Sequence, residues 1–177
     1  MIGSVDLLIR RACESDVAAL AEFATRTFVE TFGPDNQPED MAMFLASTFG
    51  VEHQAREIAD SAWVTLLVEI DGTLVGYAQI KQGPPPPCVT GPSPVELYRF
   101  YVDTAWKGRG IAQRLMSEVR ATALELGGKT LWLGVWEHNP RAKAFYAKCG
   151  FRDVGSHAFV LGNDTQTDRI LVASLVT

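Results

Sequence analysis

The spacing of apolar and polar positions changes several times along the chain, and each change marks an element. LLIRRA, Leu7 to Ala12, has the short apolar character of a first strand. Ser15 and Asp16 are residues that favour a helix start, and after them Val17, Leu20, Ala21, Ala24, Phe28 and Phe32 recur at steps of three and four. That spacing predicts a helix with one buried face, stopped at Gly33-Pro34. A second helical stretch is expected from about Pro38, with Met41, Phe44, Leu45 and Phe49 on one side, resuming through Glu52 to Ile58. From Trp63 the pattern becomes WVTLLVEI, Asp71-Gly72, TLVGYAQI, two strands joined by a tight hairpin turn. Gly76 inside the second of these marks a bulge or a close backbone approach.

GPPPPCVTGPSP, Gly83 to Pro94, holds six of the nine prolines and is expected to be an exposed loop. Beyond it, VELYRFYV (Val95 to Val102) is a strand whose apolar residues Leu97, Phe100 and Val102 break the two-residue alternation, as a bulge would. A helix follows from Ile111 to Leu126, with Leu115, Met116, Val119 and Ala123 on one face and Gly127-Gly128 at its end. LWLGVW is a strand, PRAKAFYAKCG a short helix stopped by Gly150, and FRDVGSHAFVLG and RILVASLV are closing strands. The sum is a mixed α/β fold around a central sheet, read as a single domain over residues 1–177.

Composition narrows the classes. The chain is 47% hydrophobic, with 21 acids against 16 bases, enough apolar residues for a core and no uninterrupted apolar run of membrane-spanning length. The net charge of -5 argues against a nucleic-acid partner, whose phosphates call for Lys and Arg, and suits a cationic small molecule better. Three scattered cysteines, Cys13, Cys88 and Cys149, suggest neither a disulfide framework nor a zinc site, and the three histidines are equally dispersed. The start of the chain lacks a leader pattern, so a cytoplasmic location and no membrane partner are expected.

The most informative local feature is WKGRGIA, Trp106 to Ala112, between a strand and a helix. Gly108 and Gly110 allow a tight turn in which backbone N–H groups converge, and the unpaired first N–H groups of the helix add a positive dipole end. Such a place holds a phosphate. A Walker loop would need Lys-Ser or Lys-Thr after its last glycine, and a dinucleotide fingerprint would need a glycine at Gln113, so both common nucleotide motifs fail. Taken alone, the two glycines could equally be a simple strand-to-helix joint.

In LYRFYVDTAWKGRGIAQRLM the residues resemble the pyrophosphate loop of the GCN5-related N-acetyltransferase (GNAT) family. That loop runs Arg or Gln, two residues, Gly, one residue, Gly or Ala, and Lys107, Gly110 and Ala112 occupy its places, with Lys107 replacing the usual Arg or Gln. NPRAKAFYAKCGF, Asn139 to Phe151, is similar to the family's second signature. A narrower likeness, to bacterial PaiA-type spermidine/spermine acetyltransferases, lies in TFVETFG, PEDMAMFL, LWLGVWEHN and GSHAFVLGNDTQTD.

The resemblance implies an acyl-CoA N-acyltransferase fold: a mostly antiparallel sheet of about seven strands, four or more helices, and fourth and fifth strands that splay apart. It implies acetyl-CoA as co-substrate, no metal, and direct attack of an amine on the thioester. Tyr101 and Val102 match the cofactor-binding positions of the splayed strand, and a Val102 N–H would act as an oxyanion donor, typically worth about 3 kcal/mol. Lys107, Gly108, Arg109, Gly110, Ile111 and Ala112 form the implied diphosphate loop. Asn139 is implied to bind cofactor or to cap its helix, and Lys148 to approach the nucleotide end or to be solvated. Tyr146 stands at the general-acid position, and a phenol with an ordinary pKa of about 10 carries the needed proton, although aromatic packing is its other reading.

For the proton acceptor, Glu96 comes first, with His138 and His157 as alternatives, and a plain surface role remains open for Glu96. The PaiA likeness points to Phe28, Thr31, Phe32, Glu39 and Asp40 on the first helices, with Trp136 opposite, as the acceptor pocket. Acids there suit a polyamine, though acidic helix faces are often only solvated. Three functions compete: an acetyltransferase of small cationic amines, with polyamines favoured; one acting on peptide or protein amino groups; and an acyl-CoA-binding regulatory module without turnover. Dimers are common in the family, so a homodimer is a further expectation.

Overall fold

The computed structural model of the protein describes residues 6–177; the expectation about a leader falls outside them. Seven strands form one sheet in the order β1-β2-β3-β4-β5-β7-β6, with β1 Leu7–Arg11, β2 Trp63–Ile70, β3 Thr73–Lys81, β4 Pro94–Val102, β5 Thr130–Trp136, β6 Arg152–Leu161 and β7 Asp164–Ser174. All neighbours are antiparallel except β4 and β5. Among the described residues the five α-helices are α1 Val17–Phe32, α2 Pro38–Thr48, α3 Val51–Ala59, α4 Ile111–Glu125 and α5 Pro140–Lys148. Among the described residues no helix is long and apolar enough to cross a membrane.

The central strands of the sheet are buried on both faces. Side chains alternate across a strand, so Leu66 and Val68 of β2 face the core beneath α4 while Leu67 faces the core beneath α1. The first core joins Leu115, Met116 and Val119 of α4 to Val75, Leu97, Leu131 and Leu171 of the sheet. The second joins Leu20, Phe23 and Phe28 of α1 and Met41 of α2 to Leu67, Tyr77 and Leu161. The Asp71-Gly72 hairpin forms with positive φ at both residues, the turn that matches strand twist. Gly76 is a close approach: an added Cβ would sit 3.0 Å from the Tyr101 carbonyl oxygen.

Four expectations change. Asp16 does not cap α1; its carboxylate accepts from the Cys13 N–H at 2.8 Å and pairs with Arg10 at 2.8 Å, closing the turn before the helix. The second helical stretch is two helices, parted at Phe49-Gly50. The proline segment is not wholly exposed, because Val89 is buried in a small cluster with Trp132, Ile170 and Val172. β7 begins at Asp164 rather than near Arg169, since the polar run DTQT pairs in register with Ala158 to Leu161 of β6.

Candidate active site

The sheet parts in the middle. β4 and β5 pair only from Pro94 to Glu96 against Thr130 to Trp132, and beyond that they diverge. The cause lies in β4: Gln79 pairs with Arg99 but Ile80 with Leu97, so Tyr98 is an extra residue that bends the strand. Beneath the bulge, Arg99 is buried and donates to Glu57 at 2.7 Å and to Gln79, which itself donates to Thr65 at 3.2 Å. This network, with Phe49 and Tyr98 against the guanidinium at 4.8 and 4.6 Å, fixes the bend.

The split leaves backbone groups of β4 unpaired on one side. Asp103 N–H donates to Val75 O at 2.8 Å, and the Tyr101 carbonyl crowds Gly76, so residues 101 and 103 turn their polar backbone toward β3. Strand alternation then turns the N–H groups of Phe100 and Val102 toward the split. Just beyond, Asp103 caps the turn at Thr104–Trp106 and holds Arg26 of α1 at 2.8 Å. The chain then reverses through Gly108 (φ +80) and Gly110 (φ +78), conformations that glycine adopts without strain, and a Cβ at either would meet nothing within 4 Å. The first α4 bond runs from Arg114 N–H to Gly110 O, so the N–H groups of Ile111, Ala112 and Gln113 have no intrahelical acceptor.

A cavity of about 790 Å³ runs from this loop through the split to the first helices. Its loop end carries Lys107 and Arg141; the Lys107 ammonium is held below its usual value by partial desolvation and by the Arg141 charge. Two cations crowded beside a helix N-terminus form a cradle for a diphosphate, and the split beyond is open along β4, so the residues present fit a coenzyme A ester. Among the described residues no group of three or more His, Cys, Asp or Glu side chains is placed to hold a metal ion.

Tyr146 enters the cavity from α5, buried and edge-on to Phe100 and Phe151 at 6.3 and 5.6 Å. Burial lifts its phenol above the usual value, with Tyr101 adding to the effect, so the hydroxyl keeps its proton. Asn139 also lines the cavity, while its side-chain oxygen accepts from Ala142 N–H at 3.1 Å as the cap of α5. Glu96 faces the cavity on the face of β4 opposite Leu97; burial pushes its carboxyl up to about 7, against the pull of Lys81 and Arg99.

Aromatic side chains wall the far end. Phe28 lies 4.7 Å from Phe32 and 4.9 Å from Phe44, Phe44 lies 5.4 Å from Phe159, and Phe32 meets Trp136 edge-on at 6.1 Å. Thr31 lines the same space, its hydroxyl donating back to Thr27 O at 2.8 Å.

The cavity thus gathers Phe28, Thr31, Phe32, Glu96, Tyr101, Val102, Lys107, Gly108, Gly110, Ile111, Ala112, Trp136, Asn139 and Tyr146, and leaves five sequence candidates, His138 among them, outside it. Arg109 is laid over the Trp106 ring at 4.7 Å. Lys148 is exposed, because two residues from Tyr146 is more than half a turn of helix. Glu39 is exposed, and Asp40 instead accepts from the Asn163 N–H at 2.7 Å, closing the β6–β7 turn. Of the two candidate histidines, His157 lines the cavity and His138 is largely solvated beside it. Arg141, Gly134 and Asp168 also line it and were not singled out in the sequence. Arg141 lies inside NPRAKAFYAKCGF, where its charge was a usable signal.

The family model described as "Acetyltransferase (GNAT) family" matches residues 17–151. An uncharacterised N-acetyltransferase of Lactobacillus delbrueckii subsp. lactis is 36% identical over 95% of this chain and 97% of its own. One of Mycobacterium tuberculosis is 35% identical over 92% of this chain and 99% of its own. Among solved structures, the PaiA N-acetyltransferase of Thermoplasma acidophilum, in complex with coenzyme A, superposes with a TM-score of 0.78 over 96% of this chain and 99% of that one, at 21% identity. At that identity the likeness concerns the fold.

Proposed function

The chain belongs to the GNAT acetyltransferase family, whose members use acetyl-CoA as co-substrate, and from that premise we propose that residues 1–177 act as a single N-acetyltransferase domain on small cationic amines, polyamines foremost. The observation that carries the acceptor reading is the polarity of the cavity. Its loop end offers Lys107, Arg141 and unpaired N–H groups to an anion, while its far end offers Glu96 and Asp168 among aromatic rings to a cation.

Bound acetyl-CoA supplies an acetyl group activated as a thioester. The N–H groups of Gly108 to Ala112, with Lys107 and Arg141, hold the diphosphate, and the open edge of β4 receives the pantetheine arm. Val102 N–H, already turned toward the split and in need of no reorganisation, donates to the acyl oxygen as charge develops there. Glu96 accepts a proton from the incoming ammonium, directly or through water, because only the neutral amine is a nucleophile. Tyr146 donates its hydroxyl proton toward the departing sulfur.

Thiol release from acetyl-CoA, measured over spermidine, spermine, diamines and short peptides, tests this reading. Turnover of diamines and polyamines with kcat/KM well above that of peptides is expected. Preference for peptide amino groups overturns the acceptor assignment, and absence of thiol release with every amine overturns the catalytic one.

A further inference from the structure

The cavity is lined by three carboxylates, Glu30, Glu96 and Asp168. Glu30 pairs with Arg26 at 3.1 Å, and Glu96 is the proton acceptor proposed above. Asp168, the third, adds to the cation-favouring charge of the far end. Carboxylates that tie this fold together hold a guanidinium at hydrogen-bond distance: Asp16 with Arg10 at 2.8 Å, Glu57 with Arg99 at 2.7 Å, Asp153 with Arg169 at 2.7 Å. Asp168 does not. Among the described residues the one basic side chain within 4 Å is that of His157, whose Nε2 lies 3.8 Å from Oδ2, beyond hydrogen-bond reach. The Asp168 side chain is only 14% exposed, so it has lost most of its water without gaining a close partner.

Its placement is set by the sheet. Asp168 on β7 pairs in register with Trp136 on β5 and His157 on β6, which puts the three side chains in one row on the cavity face. The next row on that face pairs Phe159 with Gln166. Two residues back on β5 stands Gly134, where a Cβ would lie 3.1 Å from His157 Nε2 and 3.3 Å from Asp168 Oδ2. A side chain there would crowd both, so the glycine keeps the carboxylate accessible from the cavity.

We propose that Asp168 is a specificity-determining residue of the acceptor site: its carboxylate pairs with a second ammonium group of the acceptor while the reacting amine lies at the β4–β5 split. The proposal rests on the reading of the protein as an acetyltransferase of small cationic amines and adds the group that distinguishes a diamine from a monoamine. Trp136 and Phe159 flank the bound cation, and the Gly134 gap admits it. His157 borders the carboxylate without saturating it.

The test compares 1,4-diaminobutane with butylamine, of equal carbon length, in wild type, Asp168→Asn and His157→Gln. Asp168→Asn, nearly isosteric, is expected to raise the KM for the diamine about tenfold or more, the scale of a lost charge-assisted hydrogen bond, with the butylamine and acetyl-CoA values little changed. His157→Gln is expected to keep the preference for the diamine. Retention of the diamine-to-monoamine ratio in Asp168→Asn, or its loss in His157→Gln alone, overturns the role of Asp168 while leaving the amine acetyltransferase reading intact. A wild type that acetylates peptides and neither amine overturns the underlying reading instead. Calorimetric titration of the diamine into the coenzyme A-saturated protein gives the same comparison without turnover: binding weakened in Asp168→Asn supports the proposal, and unchanged binding removes it.

Discussion

At the scale of the residue, the roles proposed for Glu96 and Tyr146 make opposite demands, and burial serves both. Removing water favours the uncharged form of each group, so the Tyr146 phenol stays a donor while the Glu96 carboxyl is poised at about 7, where it can take up and release a proton. Tyr146→Phe is expected to lower kcat by about 10²-fold or more with little change in coenzyme A affinity by calorimetry; an equal loss of affinity would make the ring a packing residue. In the role proposed for Glu96 the carboxylate is the form that accepts the proton, so kcat/KM for the acceptor should rise through pH 7, and Glu96→Gln should remove that inflection. Stability runs the other way. A carboxyl whose folded value is raised binds its proton more tightly when folded, so its cost to stability is absent below about pH 4.5, grows as pH rises to about 7 and is constant above. Glu96→Gln should therefore be the more stable protein at pH 8, by something on the order of 2 kcal/mol, measured by denaturant unfolding.

The element that matters most is the loop between β4 and α4, because its contribution comes from main-chain N–H groups rather than side chains. Gly110→Asp puts a side chain and a negative charge beside the cradle at φ +78, and should lower coenzyme A affinity at least about tenfold while the circular dichroism spectrum is retained. Normal binding in that folded variant would remove the loop from the cofactor site. This loop was legible in the sequence because all of it lies within Trp106 to Ala112, and Tyr146 was legible because its signature is contiguous from Asn139 to Phe151. The bulge, too, showed as a broken alternation around Tyr98. Asp168 did not show, because what brings it to the cavity is the register of β5, β7 and β6, a pairing between segments that no local pattern encodes. DTQTDR is polar throughout and passes for a loop, with no alternation to mark an earlier start to β7. Glu39 and Asp40 lie outside the cavity for the converse reason: their helix is legible in the sequence, but a helix has several faces and theirs turns to solvent and to the β6–β7 turn.

Across the whole molecule, the sheet is two sets of strands, β1 to β4 and β5 to β7, joined by a parallel seam of three residue pairs. The core beneath α4 and α5 continues across the seam through Leu97, Leu131 and Leu171, so the halves stay together while the edges of the split remain open. A ligand lying in the split supplies the bonds that the sheet lacks there, and a ligand that binds only the folded state stabilises it by mass action. Coenzyme A at about a hundred times its Kd should contribute about 2.7 kcal/mol, or roughly 5–10 °C in Tm for a chain of this size. Hydrogen exchange locates the effect: the amides of Phe100 and Val102, which face the split, should slow on binding far more than those of Tyr101 and Asp103, already turned toward β3. Equal protection along the whole of β4 would mean that the ligand stabilises the fold from elsewhere, and that the split is only a consequence of the Tyr98 bulge.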